Sequence, residues 1–168
     1  MKLTQVSFDK LASFFDEIDS WNDPDLKVKD YDIYQFQKNK DSRFDWWVAF
    51  EGSKFVGAMG VDKGRDWIYL NEIMAKPGVG YGTKMMKNIF DHYVKTMPNL
   101  KSIKFDSYSA RDKENDTNNL ANHYAKHFPD FDQKPNAWGG TTFTKNLKKQ
   151  NESKKISFTE LKRLIYDS

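Results

Sequence analysis

The segment from residue 67 to residue 90 constrains the fold more than any other part of this sequence. It contains an extended apolar stretch, then glycine at positions 78, 80 and 82, and then a helical pattern that begins near Tyr81. Alternate glycines let the backbone adopt positive φ angles and approach a ligand closely. The first N–H groups of a helix lack intrahelical acceptors and carry the positive end of the helix dipole. The segment therefore predicts a strand, a turn and a helix start that fit an anion, most simply a diphosphate. The alternative is a tight turn without a ligand.

The spacing of these glycines does not match the two most common nucleotide-binding motifs. The dinucleotide fingerprint G-x-G-x-x-G needs a third glycine where this sequence has Thr83. A P-loop needs a lysine directly after its last glycine, but Thr83 separates Gly82 from Lys84. Neither a Rossmann dinucleotide site nor a P-loop is expected.

The run G-V-G-Y-G-T-K-M-M at residues 78–86 resembles the acetyl-CoA loop of the GNAT-superfamily N-acetyltransferases, which is usually written Arg/Gln-x-x-Gly-x-Gly/Ala. Gly80 and Gly82 match the two required glycines, and two methionines match the apolar pair that follows them. Pro77 stands where the family pattern has arginine or glutamine. The resemblance therefore implies a diphosphate site in which backbone N–H groups contribute most of the binding.

The resemblance also implies that acetyl-CoA is the co-substrate and that its pantetheine arm pairs with the backbone of the strand before the loop. Asn119, on a later predicted helix, belongs to the same expected site. The expected coenzyme-binding residues are Ile73, Met74, Ala75, Gly78, Val79, Gly80, Tyr81, Gly82, Thr83, Lys84 and Asn119.

Tyr124 is the candidate general acid. The family carries a tyrosine in a pattern like N-x-x-A-x-x-F-Y-x-x-x-G-F, and residues 118–128 read NNLANHYAKHF, with the alanine shifted by one position and the glycine absent. Phenol and thiol pKa values are close enough for a tyrosine to protonate or hydrogen-bond a departing thiolate. A core tyrosine on an amphipathic helix is the alternative interpretation.

Glu72, on the strand before the loop, is the candidate general base, because several relatives carry a glutamate there. Asp106 and Ser109 on the next strand are alternatives, as is proton removal through water. A strand carboxylate that faces solvent or forms a salt bridge is the interpretation without a catalytic role.

His123 and His127 lie four residues apart on one predicted helix, a spacing that can hold a metal ion. The sequence has no cysteine, and its remaining histidine is His92. We therefore predict no metal site.

The composition is that of one domain in a reducing compartment. The chain has 168 residues, no cysteine and 15% aromatic residues, which suits a single hydrophobic core. No apolar run approaches the roughly 18 residues of a membrane span, so we expect no membrane contact and a cytoplasmic location. Residues 1–76 are acidic on balance and 77–168 basic, which fits a cationic amine acceptor and an anionic coenzyme, or simply solvated surfaces.

The predicted fold is α/β (α+β), with a GNAT-like mixed central sheet, an antiparallel N-terminal meander and the strand, glycine loop and helix of the acetyl-CoA site. Residues 1–148 form this domain, and residues 149–168 are a charged linker followed by a short helix. Trp46 and Trp47 point to opposite sides of one strand, so at most one is expected in the core. The predicted strands are 2–7, 44–50, 55–61, 67–76, 102–109 and 141–147, and the predicted helical segments are 7–21, 25–40 (helix or coil), 81–97, 118–128 and one that begins near residue 157.

The expected function is N-acetyl transfer from acetyl-CoA to a primary amine, either a small amine or a protein amine. A non-catalytic GNAT-like binding module is one alternative, because of Pro77 and the altered tyrosine pattern. A GNAT-like protein that acts on nucleic acid or its associated machinery is another, because the second half of the chain, residues 77–168, is basic on balance. A homodimer is compatible with the sequence.

Overall fold

A mixed β-sheet with helices on both faces forms the body of the protein. The computed structural model describes residues 1–21, 44–107, 114–137 and 139–147, and for residues 114–117 it describes the backbone alone. The predicted segment 25–40 and the predicted C-terminal helix lie outside the described residues. In chain order the elements are β1 (Lys2–Val6), α1 (Phe8–Ala12), α2 (Phe15–Asp19), β2 (Phe44–Glu51), β3 (Lys54–Lys63), β4 (Trp67–Ala75), α3 (Tyr81–Thr96), β5 (Ser102–Ser107), α4 (Glu114–His127), β6 (Asp132–Pro135) and β7 (Thr141–Asn146).

The strand order across the sheet is β1-β2-β3-β4-β5-β7-β6. Strands β4 and β5 are parallel and are connected by helix α3, whereas the other neighbouring pairs are antiparallel. This arrangement confirms the predicted mixed sheet with an N-terminal meander and one strand–helix–strand crossover. None of the described helices has the length and apolar character of a membrane span.

Helices cover both faces of the sheet, which places alternate strand residues in two separate cores. On the α3–α4 face, Met85, Met86, Ile89 and Phe90 of α3 pack against apolar strand residues. On the α1–α2 face, Leu11, Phe15 and Ile18 pack against a second set. Trp47 belongs to the first core at 6% exposure and Trp46 to the second at 4% exposure. The expectation that at most one of these tryptophans is in the core was therefore wrong, because both faces are covered.

Three local predictions differ from the structure. The first predicted helix is broken into α1 and α2, since the Ser13 hydroxyl donates to the Lys10 carbonyl at 2.7 Å and Phe14 leaves helical geometry at φ −104°, ψ 0°. Helix α4 begins at Glu114 rather than near residue 118. Strand β6 was predicted as irregular chain, because all four of its residues are exposed and provide no alternating apolar pattern.

A buried hydrogen-bond network joins four elements at the end of the sheet away from the glycine loop. Asp45 is 7% exposed and accepts from three side chains: Gln5 at 2.8 Å, Lys63 at 2.6 Å and the Tyr93 hydroxyl at 2.6 Å. The Trp47 indole N–H donates to the Tyr93 oxygen at 3.3 Å. Burial and the hydrogen bond to Asp45 raise the pKa of Tyr93, so its phenol stays protonated and acts as the donor.

We predict that Tyr93→Phe lowers the free energy of unfolding by about 1–3 kcal/mol, because it removes one of the three donors to buried Asp45 and the acceptor of the Trp47 N–H. Urea denaturation measures the change. Asp91→Asn is the matched control, since Asp91 lies on the exposed side of the same helix and is expected to change stability by no more than about 0.5 kcal/mol. Equal effects of the two substitutions would show that the network does not stabilise the fold.

Candidate functional site

Strands β4 and β5 separate before either one ends. Their parallel ladder pairs Trp67 with Ser102 and stops at Leu70 and Phe105, although β4 continues to Ala75. On its other side β4 stays paired with β3 as far as Ala75. Within the described residues, the β5-facing edge of β4 beyond Leu70 therefore has no strand partner, and such an edge can pair with an extended ligand as an added strand does.

A bulge in β4 lies at the start of this opening. The register pairs Val61 with Leu70 but Gly60 with Glu72, which leaves Asn71 as an extra residue on β4. Bulges bend and twist a strand locally. The bulge therefore turns β4 at the point where its ladder with β5 ends.

The glycine loop follows directly at the end of β4. Gly78 has φ +89° and Gly80 has φ +69°, conformations that residues with a side chain adopt rarely. A Cβ atom added at either position would have no neighbouring atom within 4 Å. The loop backbone is thus open on the side where a side chain would otherwise stand at Gly78 and Gly80, and a ligand can approach it closely there.

Helix α3 begins at this loop with its amide groups unpaired. Gly80 is the N-cap residue and provides no side-chain hydrogen bond, while the Lys84 N–H makes the first intrahelical bond, to the Gly80 carbonyl at 3.1 Å. The N–H groups of Tyr81, Gly82 and Thr83 precede that bond and have no intrahelical acceptor. The first turn also contains no acidic residue, so this helix end is suited to an anion.

Small residues bring α3 close to the end of the sheet. A Cβ added at Gly82 would lie 3.7 Å from side-chain atoms of Ile73 and Ala75, so the first turn of α3 rests on the end of β4. A Cβ at Gly57 would lie 2.7 Å from both the Met74 carbonyl and the Met85 sulfur. Gly57 therefore lets β3, β4 and α3 pack together, a role that the sequence analysis missed because it depends on residues distant in the chain.

Tyr124 lies on the α3–α4 face of the sheet, beside the opening between β4 and β5. Its ring packs edge-on against Phe105 at 5.3 Å between centroids and against Phe143 at 6.1 Å. Phe105 is the β5 residue of the last parallel pair, so Tyr124 stands where β4 and β5 separate. The side chain is largely buried, and burial raises the pKa of Tyr124 to about 12.

Glu72 lies two residues beyond the last parallel pair, on the opposite face of the sheet. Its cross-strand partner is Gly60, where an added Cβ would collide with Trp46 of the α1–α2 core. Glu72 is exposed. Because Tyr124 approaches from the α3–α4 face, these two candidate residues flank the opening from opposite sides.

Asp106, another candidate base, belongs to a polar cluster around Tyr69. Asp106 accepts hydrogen bonds from the Tyr69 hydroxyl at 2.8 Å and the Thr142 hydroxyl at 2.5 Å. Burial, the hydrogen bond to Asp106, and the charges of Asp106 and Glu72 together raise the pKa of Tyr69. Ser109 lies outside the described residues. The polar cluster around Tyr69 was not found from the sequence, since its members come from three strands.

Helix α4 also contacts the first turn of α3. The Thr83 hydroxyl and the Nε2 atom of His123 are 2.9 Å apart, and the rings of His123 and His127 have centroids 4.5 Å apart. Asn119 is exposed on the same helix, one turn before His123. Among the described residues, no group of three or more histidine, aspartate or glutamate side chains has a metal-binding arrangement.

A cleft of about 460 Å³ lies between the β2–β3 hairpin and the glycine-loop segment that contains Lys76, Val79 and Tyr81. The rings of Phe50 and Phe55 line its hairpin side. Val79, at the edge of this cleft, is 61% exposed. Its side chain therefore offers apolar surface to solvent and is not part of the core.

Solved structures of N-acetyltransferases are similar to this chain in fold. The ribosomal-protein-S18-alanine N-acetyltransferase from Escherichia coli matches with a TM-score of 0.61 and 11% identity over 87% of this chain and 93% of that chain. The aminoglycoside 6'-N-acetyltransferase from Enterococcus faecium matches with a TM-score of 0.57 and 13% identity over 87% and 97%. The PaiA N-acetyltransferase from Thermoplasma acidophilum, solved in complex with coenzyme A, has a TM-score of 0.57 and 10% identity over 86% and 98%. Protein-family models and curated protein sequences gave no match.

The chain has the GNAT fold. Its glycine loop, α3 and the strand before them occupy the positions predicted from the sequence. The GNAT fold brings Ile73, Ala75, Gly82 and Thr83 together at the end of β4, and α4 brings His123 to the same place. Sequence reasoning considered His123 as a metal ligand and did not connect it with the loop.

We predict that Tyr124→Phe flattens the alkaline decline in stability of this GNAT-fold chain. Because the pKa is about 12 in the folded state and about 10 when unfolded, the phenol is protonated in both states below pH 10. Between pH 10 and pH 12 the unfolded chain loses the proton first, which lowers the free energy of unfolding by roughly 1–3 kcal/mol. Urea denaturation of wild type and Tyr124→Phe over this range measures the difference. Parallel declines would contradict the buried, protonated phenol.

Proposed function

We propose that this chain is an acetyl-CoA-dependent N-acetyltransferase that transfers the acetyl group to a primary amine. The observation that carries this proposal is the opening between β4 and β5, which leads from Leu70 and Phe105 to the unpaired amides at the start of α3. An extended arm with an anionic end matches both parts of this surface, and a pantetheine arm joined to a diphosphate has that chemistry.

The residues of the loop fit the coenzyme. Gly78 and Gly80 leave the loop backbone accessible, so the N–H groups of Val79, Tyr81, Gly82 and Thr83 are our proposed diphosphate donors. Lys84 is exposed in the same turn and adds positive charge. The backbone of Ile73, Met74 and Ala75 is the proposed partner of the pantetheine arm, and Asn119 of α4 is the proposed polar contact from the other side.

Acetyl-CoA supplies a thioester acetyl group and a thiolate leaving group. In the transfer a C–N bond forms and the thioester C–S bond breaks. The ammonium nitrogen loses two protons, one before attack and one as the amide forms, the sulfur gains one, and one proton leaves to solvent. Tyr124 is our proposed proton donor, since its phenol is protonated and its ring packs against Phe105, the β5 residue at which the parallel ladder ends. Glu72 is our proposed proton acceptor, acting directly or through water, since its carboxylate is exposed on the opposite face.

The electrostatics of the α1–α2 face favour a cationic acceptor. The charges of Glu72 and Asp106 both act on the Tyr69 phenol, which places two carboxylates beside the opening. A protonated amine is attracted to such a surface. The proposal therefore assigns the coenzyme to the α3–α4 side and the amine to the α1–α2 side. A cytoplasmic location is part of the same proposal.

Calorimetry and a thiol-release assay with acetyl-CoA test the function. The purified chain is screened against polyamines, amino acids, aminoglycosides and peptides, with intact mass of the products as a second readout. The proposal is supported if thiol release depends on the amine and the mass of the amine rises by about 42 Da, the increase expected when an acetyl group replaces one hydrogen. Binding without amine-dependent release supports the non-catalytic module instead, and the absence of binding contradicts both.

We predict that Gly80→Ala weakens acetyl-CoA binding at least about tenfold, or roughly 1.4 kcal/mol. The added methyl group imposes strain at positive φ and projects beside the proposed diphosphate site. Gly52→Ala is the matched control, since Gly52 has φ +61° and is equally open but lies in the β2–β3 turn. Calorimetry measures both variants after their unfolding midpoints are compared. Equal affinities would place the diphosphate elsewhere.

We predict that Tyr124→Phe lowers turnover about 100-fold or more, the usual contribution of general acid catalysis, while the Kd for acetyl-CoA changes little. Phenylalanine retains the ring that packs against Phe105 and Phe143 and removes the proton donor alone. Initial rates under saturating acetyl-CoA, together with calorimetry, separate the two effects. Unchanged turnover would remove Tyr124 as the acid.

A further inference from the structure

The contact between α4 and the first turn of α3 has no evident role in folding. His123 is exposed, and its Nε2 atom lies 2.9 Å from the hydroxyl of Thr83. Exposed polar pairs of this kind contribute little to stability because water competes for both partners. Thr83 carries one of the N–H groups that precede the first intrahelical bond of α3, so the pair places an imidazole at the edge of the proposed diphosphate site.

The surroundings of this imidazole are cationic. His127 lies one turn further along α4, with its ring centroid 4.5 Å from that of His123. Desolvation and the positive charges of His123, Lys87 and Lys126 lower the pKa of His127. Lys87 lies on α3, one turn after Thr83. The charged side chains that act on the neighbouring His127 are thus all basic.

Residues 77, 78, 80 and 82 of the loop offer no polar side chain. Pro77 has neither a backbone N–H nor a polar side chain, although the loop pattern that this chain resembles has arginine or glutamine at that position. Gly78, Gly80 and Gly82 contribute no side chain either. Besides Thr83 and Lys84 at the start of α3, a further polar side chain beside the loop can come from α4, which brings His123 within hydrogen-bonding distance of Thr83.

We propose that His123 is a coenzyme-binding residue whose imidazole, oriented by the Thr83 hydroxyl, contacts the diphosphate of acetyl-CoA and replaces the side chain that Pro77 lacks. This inference rests on the proposed function. It places part of the coenzyme site on α4, forty positions along the chain from the loop. It also gives His123 a role other than metal binding.

Calorimetry with coenzyme A tests the role of His123. His123→Ala is expected to raise the Kd for coenzyme A about tenfold, as for the loss of one charge-assisted hydrogen bond. His123→Gln keeps a neutral hydrogen-bond donor and is expected to give a smaller increase. His127→Ala is the matched control, because it removes the same residue type from the next turn of α4, and its Kd is expected to stay within about threefold of wild type. Equal affinities of wild type and His123→Ala, or equal losses in the two alanine variants, would overturn the assignment.

Dephospho-coenzyme A identifies which phosphate His123 contacts. This ligand retains the diphosphate and lacks the 3'-phosphate, so the ratio of Kd values between His123→Ala and wild type is expected to be the same as with coenzyme A. A ratio close to one with dephospho-coenzyme A would mean that His123 contacts the 3'-phosphate, which would overturn the proposal.

Nitrogen NMR provides a direct readout. The chain has three histidines, so single variants assign every imidazole in a histidine-labelled sample. Coenzyme A is expected to shift the ring nitrogens of His123 more than those of His127 and His92, and equal or absent shifts at His123 would overturn the proposal. If wild type does not bind coenzyme A, the proposed function fails and this assignment fails with it. If wild type binds and His123→Ala binds equally, the assignment alone fails.

Discussion

The end of the parallel ladder at Leu70 and Phe105 is the constraint on which the candidate site depends. Beyond this pair the two strands pack against different partners. Strand β4 remains on β3, and its end supports the first turn of α3. Phe105 is instead held by Phe143 of β7, with parallel rings 4.8 Å apart, and by Tyr124 of α4. With a bulge at Asn71 bending β4 at the same position, the strands part without exposing either core.

The two covered faces of the sheet give this opening two different sides. On the α3–α4 face, Tyr124 packs among aromatic rings, and burial is the cause of its raised pKa. On the α1–α2 face, Tyr69, Asp106 and Thr142 form a hydrogen-bonded group near Glu72. A reaction between an anionic coenzyme and a cationic amine needs such a division, because each reactant then meets an environment of suitable charge.

How much of this structure could be predicted from the sequence depends on how local each signal is. The strand, loop and helix at residues 67–96 were predictable because glycine spacing and helical periodicity are local and strong. The break after Ala12 was not, since a helical apolar pattern continues through it while Ser13 bonds back to the chain. The contacts of His123 with Thr83, and of Gly57 with Met74 and Met85, join distant parts of the chain. No pattern within one segment contains that information.

The burial of Tyr124 argues for the direction in which it handles protons in the proposed reaction. A tyrosine whose pKa is about 12 is protonated at every physiological pH, so it can donate a proton or a hydrogen bond but cannot serve as a base. The Tyr124 ring packs against the rings of Phe105 and Phe143, and burial is what raises the pKa. An unshifted tyrosine is also protonated at these pH values, and the raised pKa makes Tyr124 a weaker acid. Its proposed role is therefore to donate a hydrogen bond to the departing sulfur more than to release its proton fully. The proton acceptor must then lie elsewhere, and Glu72 on the opposite, exposed face meets that requirement.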